Sequence, residues 1–200
     1  ETHDPLDRFV SKLRAGRIGA MKGLGGYHLI CDAHSDVIVG ELRRRKHRDE
    51  KPFAIMVRDI QAAAALCELS CAEQAMLLSS RRPIVLLRKR PSGHIAECVA
   101  PGISTLGVML PYTPLHHLLL HKMADTPLVM TSGNRSDEPI AYIDHDAVTR
   151  LTRIADVFLT HNRPIHIRCD DSVTRVVDGA ESPVRLSRGY APQPIELPFE

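Results

Sequence analysis

Tryptophan is absent from these 200 residues, and four Phe and four Tyr make up the whole aromatic complement. Cysteine is sparse: the five stand at 31, 67, 71, 98 and 169, an odd number with no CxxC pair. That pattern excludes a disulfide framework and a zinc knuckle and predicts reduced, mostly buried thiols. No stretch approaches the roughly 18 to 20 uninterrupted apolar residues that cross a bilayer, and Glu1-Thr2-His3-Asp4 has no signal-peptide pattern, so the expected compartment is the cytoplasm. Excess charge is also lacking. A net charge of +2 is too small to indicate nucleic acid by itself. The two commonest phosphate cradles are missing as well: GxxxxGK[ST] occurs nowhere, and KGLGGYH lacks the spacing of a dinucleotide fingerprint.

What is present describes one globular domain. The hydrophobic fraction is 44% and the charged fraction 25%, near the averages for globular proteins. A chain of this length buries roughly two thirds of its unfolded surface, enough for a core without staples. The expected domain spans 1–190, with the Pro-rich run 191–200 as a linker toward a further domain. Charge is concentrated in one place: RRRKHRDEK, from Arg43 to Lys51, puts six Lys or Arg in nine residues. Such density serves either a solvated helix face or an anionic ligand.

Local signals place the elements. Asp4-Pro5 caps a helix through LDRFVSKLRAG, which Gly16 ends. Ile18 to Met21 and Tyr27 to Cys31 read as strands around the bend at Gly23, Gly25 and Gly26. Ser35 and Asp36 cap a helix that ends in the basic run. Phe53 to Val57 is a short strand, Asp59 caps an Ala-rich helix, and Ser70-Cys71-Ala72-Glu73 has capping-box spacing. Pro83 to Leu87 is a strand, and Thr113-Pro114 opens a helix through LHHLLLHKMA. Leu128 to Thr131 is a strand emptying into SGNRSDEP. A helix from Asp144 to Ile154 precedes the strands DVFLT, SVTRVVD and PVRLS. Helices and strands alternate without one period, which predicts a single α/β domain with a mixed sheet.

Two segments carry candidate chemistry. Without a glycine-rich cradle, phosphates must be neutralised by side chains, and Lys46, Arg48 and Lys51 lie where a helix turns into a strand, so their heads can converge. The alternative is a basic helix end complementing its own dipole. Thr131-Ser132-Gly133-Asn134-Arg135-Ser136 follows an apolar strand and can present donors at a sheet edge, or can be an ordinary turn. His117 and His121 stand at i, i+4, but the Glu and third ligand of a zincin are missing, and Leu-rich flanks favour a partly buried helix with satisfied histidines. Asp170 and Asp171, adjacent in a strand, point to opposite faces and make a poor paired-carboxylate site. Cys31 reads as a buried thiol, not a nucleophile.

Taken in order, AGRIGAMKGLGGYHLICDA, LRRRKHRDEKPFAIM, PIVLL, LGVMLPYTPLHHLLL, LVMTSGNRSDEPI, DDSVTRVVDG and RLSRGYAPQPI resemble the YrdC-like domain of HypF carbamoyltransferases over nearly the whole chain. The resemblance implies a twisted, mixed α/β sheet with helices, curved around a deep basic cleft that takes ATP. It implies that a K-x-R pair, Lys46 with Arg48, and an S-x-N loop, Ser132 with Asn134, hold the phosphates, with Lys51, Ser172 and Arg185 in the same cleft. Threonylcarbamoyl-adenylate synthases of the same family carry a Pro-Thr-Glu-like segment where this chain has Lys22-Gly23-Leu24-Gly25-Gly26. A pocket of Lys22, Gly25 and His28 therefore suits a small anion such as carbamate.

The implied reaction is adenylation of carbamate by ATP, with Mg2+ sharing the phosphate charge and no metal site built from protein alone. Lys46 and Arg48 are the expected catalytic pair. The implied partners are an acylphosphatase-like domain that supplies carbamate, a Kae-type domain, and HypE, whose C-terminal cysteine receives the carbamoyl group in nickel-iron hydrogenase maturation. Two rivals stand beside this reading: a threonylcarbamoyl-adenylate synthase for tRNA modification, and a double-stranded RNA module. The few aromatics and small net charge argue against the second.

Overall fold

The computed structural model describes residues 4–192 apart from 125, 136 and 137. Local chemistry forms the helices as the sequence anticipates. In α1 (Pro5–Arg14), the Asp4 carboxylate accepts from the Leu6 amide at 3.0 Å, a cap of the kind that contributes about 1 kcal/mol. Leu6, Phe9, Val10 and Leu13 then repeat at helical spacing and are buried. Ser35 caps α2 (Asp36–Lys46), Asp59 caps α3 (Ile60–Leu66), and Ser70 with Glu73 closes a full capping box on α4 (Cys71–Leu78). Thr113 caps α5 (Pro114–Lys122) by accepting from the His116 amide at 3.1 Å. The last helix, α6 (Asp144–Leu151), stops three residues short of the expected Ile154 because the chain turns there, with the Ile154 and Ala155 amides both returning to the Leu151 carbonyl.

Among the described residues nine strands form one sheet: β1 (Gly19–Lys22), β2 (Tyr27–Asp32), β3 (Ala54–Met56), β4 (Ile84–Arg88), β5 (Thr105–Met109), β6 (Leu128–Ser132), β7 (Val157–Leu159), β8 (Val173–Val177) and β9 (Ala180–Arg185). Their order is β7-β1-β2-β6-β3-β5-β4-β8-β9. The β1/β7, β3/β5 and β4/β8 pairs are parallel and the others antiparallel, so the sheet is mixed. Sequence reading assigns no strand between Leu87 and Thr113, yet β5 lies near the centre, between β3 and β4. Its Gly107 weakens the strand signal. The same glycine eases packing, because a Cβ there would stand 3.0 Å from Ile84 Cγ2 and press on that side chain.

Two cores lie on the two faces of the sheet. Ala20, Tyr27, Leu29, Cys31, Val85 and Val108 meet the buried sides of α2, α3, α4 and α6. Met21, Ile30, Met56, Met109, Met130 and Leu128 meet α1 and α5. Among the described residues, α1 and α5 cover this second face, and part of it is open as a cleft. Cys31 is fully buried, and burial pushes its thiol far above the usual range, so it is inert as the sequence suggests. Of the linker run 191–200, residues 193–200 lie outside the described residues, as does Ser136 of the hydroxyl-rich loop. Among the described residues, no helix is long and apolar enough to cross a membrane.

Candidate functional site: a basic cleft on the open sheet face

The cleft has a volume of about 350 Å3. Its floor is the row Ala54, Gly107 and Leu86, in register on β3, β5 and β4. Two of the three are small, which makes room above the sheet. Arg48 and Lys51 rise on one side, Arg185 and Val184 on the other, and His28, Thr131 and Ser132 form a polar end. Such a mixture of apolar floor and a few convergent polar groups suits a small molecule.

Lys46 is 1% exposed at the last turn of α2. Its ammonium donates to the Ser132 carbonyl at 2.6 Å, the Asn134 carbonyl at 2.5 Å and Asn134 Oδ1 at 2.6 Å. Three protons meet three oxygens, so the end of α2 and the loop after β6, 86 residues apart, are fastened together. Burial and the neighbouring Arg48 charge pull the Lys46 pKa down to about 7. Asn134 Oδ1 also accepts from Ser132 Oγ at 2.7 Å, and its amide donates to the Glu138 carbonyl at 2.5 Å. Asn134 therefore shapes the loop from behind while Ser132 faces the cleft. Gly133 permits this, since a Cβ would lie 2.7 Å from the Tyr27 carbonyl oxygen.

Chain geometry at the end of α2 aims Arg48 into the cleft. His47 ends the helix in the left-handed region, and the Arg48 amide returns to the Arg43 carbonyl. The Arg48 guanidinium donates to the Lys51 and Pro52 carbonyls and lies over the Phe53 ring, 5.3 Å from its centroid. Burial and the charges of Arg43 and Arg185 lower its basicity. Like charges thus face one cavity, a distribution that an anion between them would relieve. Arg185 is held by two bonds to the Asp171 carbonyl, at 3.0 and 2.7 Å.

Asp171 is a structural hub and not half of a paired-carboxylate site, as the sequence anticipates. Its carboxylate meets His28 Nε2 at 3.1 Å and Arg188 Nε at 2.8 Å. Burial raises its pKa, but the His28 hydrogen bond and the charges of His28 and Arg188 outweigh that and hold it well below the usual carboxylate range. Arg188 goes on to the Arg81 and Arg82 carbonyls and stacks on Tyr112 at 3.5 Å. Asp170, next in the chain, lies in the cleft wall. No short sequence motif announces Arg188, which lies 17 residues beyond its carboxylate partner. Ser172 is fully buried, taking the Ser187 amide at 2.7 Å and donating to the Arg188 carbonyl at 2.9 Å. Its hydroxyl fixes the segment behind the wall instead of opening into the cleft.

The expected small-anion pocket of Lys22, Gly25 and His28 is not assembled as such. On the β1/β2 hairpin Lys22 pairs with Tyr27 and Met21 with His28, and successive residues alternate faces. Lys22 and Tyr27 accordingly meet at the Asp144 carboxylate, at 2.8 to 2.9 Å, while His28 joins the cleft on the other face. Lys22 instead borders a separate cavity of about 590 Å3, formed with Leu24, Leu115 and the segment His161 to Ile167. Gly25 is packed on Cys169, where a Cβ would lie 2.2 Å from the carbonyl oxygen, and it lines neither cavity.

The histidines of α5 also differ from expectation. His117 and His121 are exposed. His116 is fully buried between Tyr112 and His28, and neither ring nitrogen has a hydrogen-bond partner. Burial, then the nearby His28, lowers its pKa to about 3, so the ring is neutral.

A mixed sheet, helices on both its faces and a cation-lined cleft define an α/β domain with a basic ligand cleft. The chain belongs to the Sua5/YciO/YrdC family, whose model, described by the words "Telomere recombination", matches residues 11–188. It is 49% identical to carbamoyltransferase HypF2 of Cupriavidus necator, with 98% of this chain and 26% of that protein covered. It also resembles the solved full-length HypF in its phosphate- and nucleotide-bound form, with a TM-score of 0.94, 48% identity and coverage of 99% of this chain and 31% of that one. P. abyssi Sua5 complexed with L-threonine shares the fold, with a TM-score of 0.80 at 17% identity over 94% of this chain and 56% of that one. The chain spans about a quarter of the length of the curated relatives it matches.

Proposed function

We propose that this chain binds ATP in the basic cleft and adenylates carbamate, as the nucleotide-handling domain of a longer HypF-type carbamoyltransferase. The observation that carries the reading is the meeting of Arg48 and Lys51 with Ser132 and Arg185 at one cavity, from three remote parts of the chain, while Lys46 does not line it and instead braces the Ser132 loop from behind. The nucleotide- and phosphate-bound relative at 48% identity supports a nucleotide as the ligand.

In this reading the base lies over Ala54, Gly107 and Leu86, and the phosphates lie toward Arg48, Lys51, Arg185 and Ser132. A carboxylate oxygen of carbamate attacks the α-phosphorus in line. The bond from that phosphorus to the oxygen bridging it to the β-phosphate breaks, and pyrophosphate leaves with the electron pair. Catalysis comes from positioning and charge neutralisation, with no protein nucleophile. Magnesium, when bound, offsets phosphate charge. Among the described residues no group of three His, Cys, Asp or Glu side chains could hold an ion alone. Asp170 in the cleft wall suits an ion shared between one carboxylate and the phosphates.

The wider assignment follows from the same reading. Residues 1–190 form the adenylating domain and 191–200 lead onward. An acylphosphatase-like domain supplies carbamate, and a Kae-type domain passes the carbamoyl group to the HypE cysteine. The test is pyrophosphate release, with mass spectrometry of the AMP adduct, using ATP, magnesium and either carbamate generated in place or threonine plus bicarbonate. Carbamoyl-adenylate is expected, with threonine inert, because a site gains nothing from a substrate whose polar groups it cannot pair. Threonylcarbamoyl-adenylate alone would transfer the chain to the tRNA-modification reaction.

A further inference from the structure

Arg43 lies in the basic run but not in the cleft. It is 8% exposed, and its guanidinium donates to five backbone carbonyls: Cys98 at 2.5 Å, Val99 at 3.2 Å, Arg48 at 2.8 Å, and Asp49 and Lys51 at 3.2 Å each. Two of these belong to the 3-10 turn Glu97–Val99 and its neighbourhood, which packs beside α2, and three belong to the loop that carries Arg48 and Lys51. The same guanidinium stands 4.7 Å from the Phe53 ring centroid, and Arg48 lies over that ring at 5.3 Å. Phe53 is itself fixed, buried at 1% exposure, with its amide on the Val99 carbonyl at 2.8 Å.

The loop 48–52 has no regular secondary structure of its own and is exposed at Asp49, Glu50, Lys51 and Pro52. A loop of this kind has several conformations of similar energy. Arg43 restricts that freedom, because its planar fork is held by Cys98 through Nε and by Val99 through Nη2, and so fixes the place of Nη1, whose two N–H groups are shared among the Arg48, Asp49 and Lys51 carbonyls of the loop. A lysine has the charge but neither the fork nor the reach to all five. The neighbouring arginines are employed differently: Arg44 pairs with Glu41 at the surface, and Arg45 bridges Glu41 and Asp156.

We infer that Arg43 is a positioning residue for the anion site: it clamps the 48–52 loop by its carbonyls and, with Phe53, sets the place of the Arg48 guanidinium. This rests on the reading of the cleft as an ATP site. Arg43 touches no ligand, and its effect on binding passes through Arg48.

The test is a double-mutant cycle on the 200-residue chain, with ATP affinity and stoichiometry from titration calorimetry and unfolding temperature measured alongside. Arg43→Lys is expected to weaken ATP binding about tenfold or more while keeping one site per chain, and Arg44→Ala to leave affinity unchanged. Arg43→Lys combined with Arg48→Ala is expected to bind no more weakly than Arg48→Ala alone, since effects passing through one group are not additive. A merely structural role predicts a lower unfolding temperature or stoichiometry with unchanged affinity of the folded fraction. That result, or additive losses in the cycle, overturns the inference. If Arg43→Lys does not fold, Phe53→Leu takes its place, with the loop carbonyl bonds intact and the shared ring removed. The same non-additivity with Arg48→Ala is then expected, and additivity overturns it. Failure of the wild-type chain to bind ATP removes the nucleotide reading itself, and this inference with it.

Discussion

Raising the pH from 8 to 9 should weaken ATP binding through one side chain, Lys46. Its ammonium is buried, and burial together with the Arg48 charge brings its pKa down to about 7, against favourable fields from Asp170 and Glu138. The ligand-free domain therefore lets this proton go just above neutrality. A triphosphate placed beside Arg48 and Ser132 adds negative charge near the ammonium and returns the pKa toward the ordinary lysine range, so binding takes up a proton. With a free-state value near 7 the protonated fraction falls about ninefold between pH 8 and 9, and affinity should fall by about the same factor. ATP is fully ionised across that window, so the slope belongs to the protein. Calorimetric titrations in buffers of different ionisation enthalpy should show nearly one proton taken up per ATP at pH 8. Lys46→Met should bind more weakly and lose both the uptake and the slope. Equal affinity at pH 8 and 9 with no proton uptake would refute the reasoning, as would an unchanged slope in Lys46→Met.

Other outcomes are fixed by the same contacts. Arg48→Ala should weaken ATP binding by roughly 1.5 to 3 kcal/mol, the range for hydrogen bonds to charged groups, with the fold intact; calorimetry decides. Ser132→Ala should lower kcat/KM for adenylate formation more than it weakens ground-state ATP binding, because its bond tightens as charge develops; full activity would leave the loop only a turn. His116 is neutral in the fold with a pKa of about 3, whereas in the unfolded chain it takes up a proton near 6.5, so its contribution to stability falls as pH drops through that interval. His116→Leu should therefore gain on the order of 2 kcal/mol relative to wild type between pH 7 and pH 5, read from denaturant unfolding at both. Gly133→Ala should cost about 1 to 3 kcal/mol, since the new methyl has only the Tyr27 backbone and Cβ to push against, and thermal unfolding will show it.

Features set by neighbours along the chain were legible before the fold was known. Caps at Asp4, Ser35, Asp59, Ser70 and Thr113 start helices where their side chains satisfy local amides, and those positions hold in the structure. The two segments beside the cleft were also legible as local patterns of charge density and of a hydroxyl-rich loop after an apolar strand, but the fold brings only Arg48 and Ser132 of them to the cavity and spends Lys46 and Asn134 on each other behind it. Tertiary structure decided what depends on pairing. Strand β5 has a glycine where a strand favours bulk, and only the fold shows it in the cleft floor with Ile84 close beside it. Lys22 and His28 look like companions in a glycine-rich bend, yet the hairpin register sends them to opposite faces, since a one-residue change of parity exchanges the sides of a sheet. Arg43 and Arg48 belong to one run of like residues. Only the fold buries the first under five carbonyls and leaves the second facing the cleft, because what a guanidinium does is set by the oxygens that surround it, and those come from parts of the chain as distant as Cys98 and Val99.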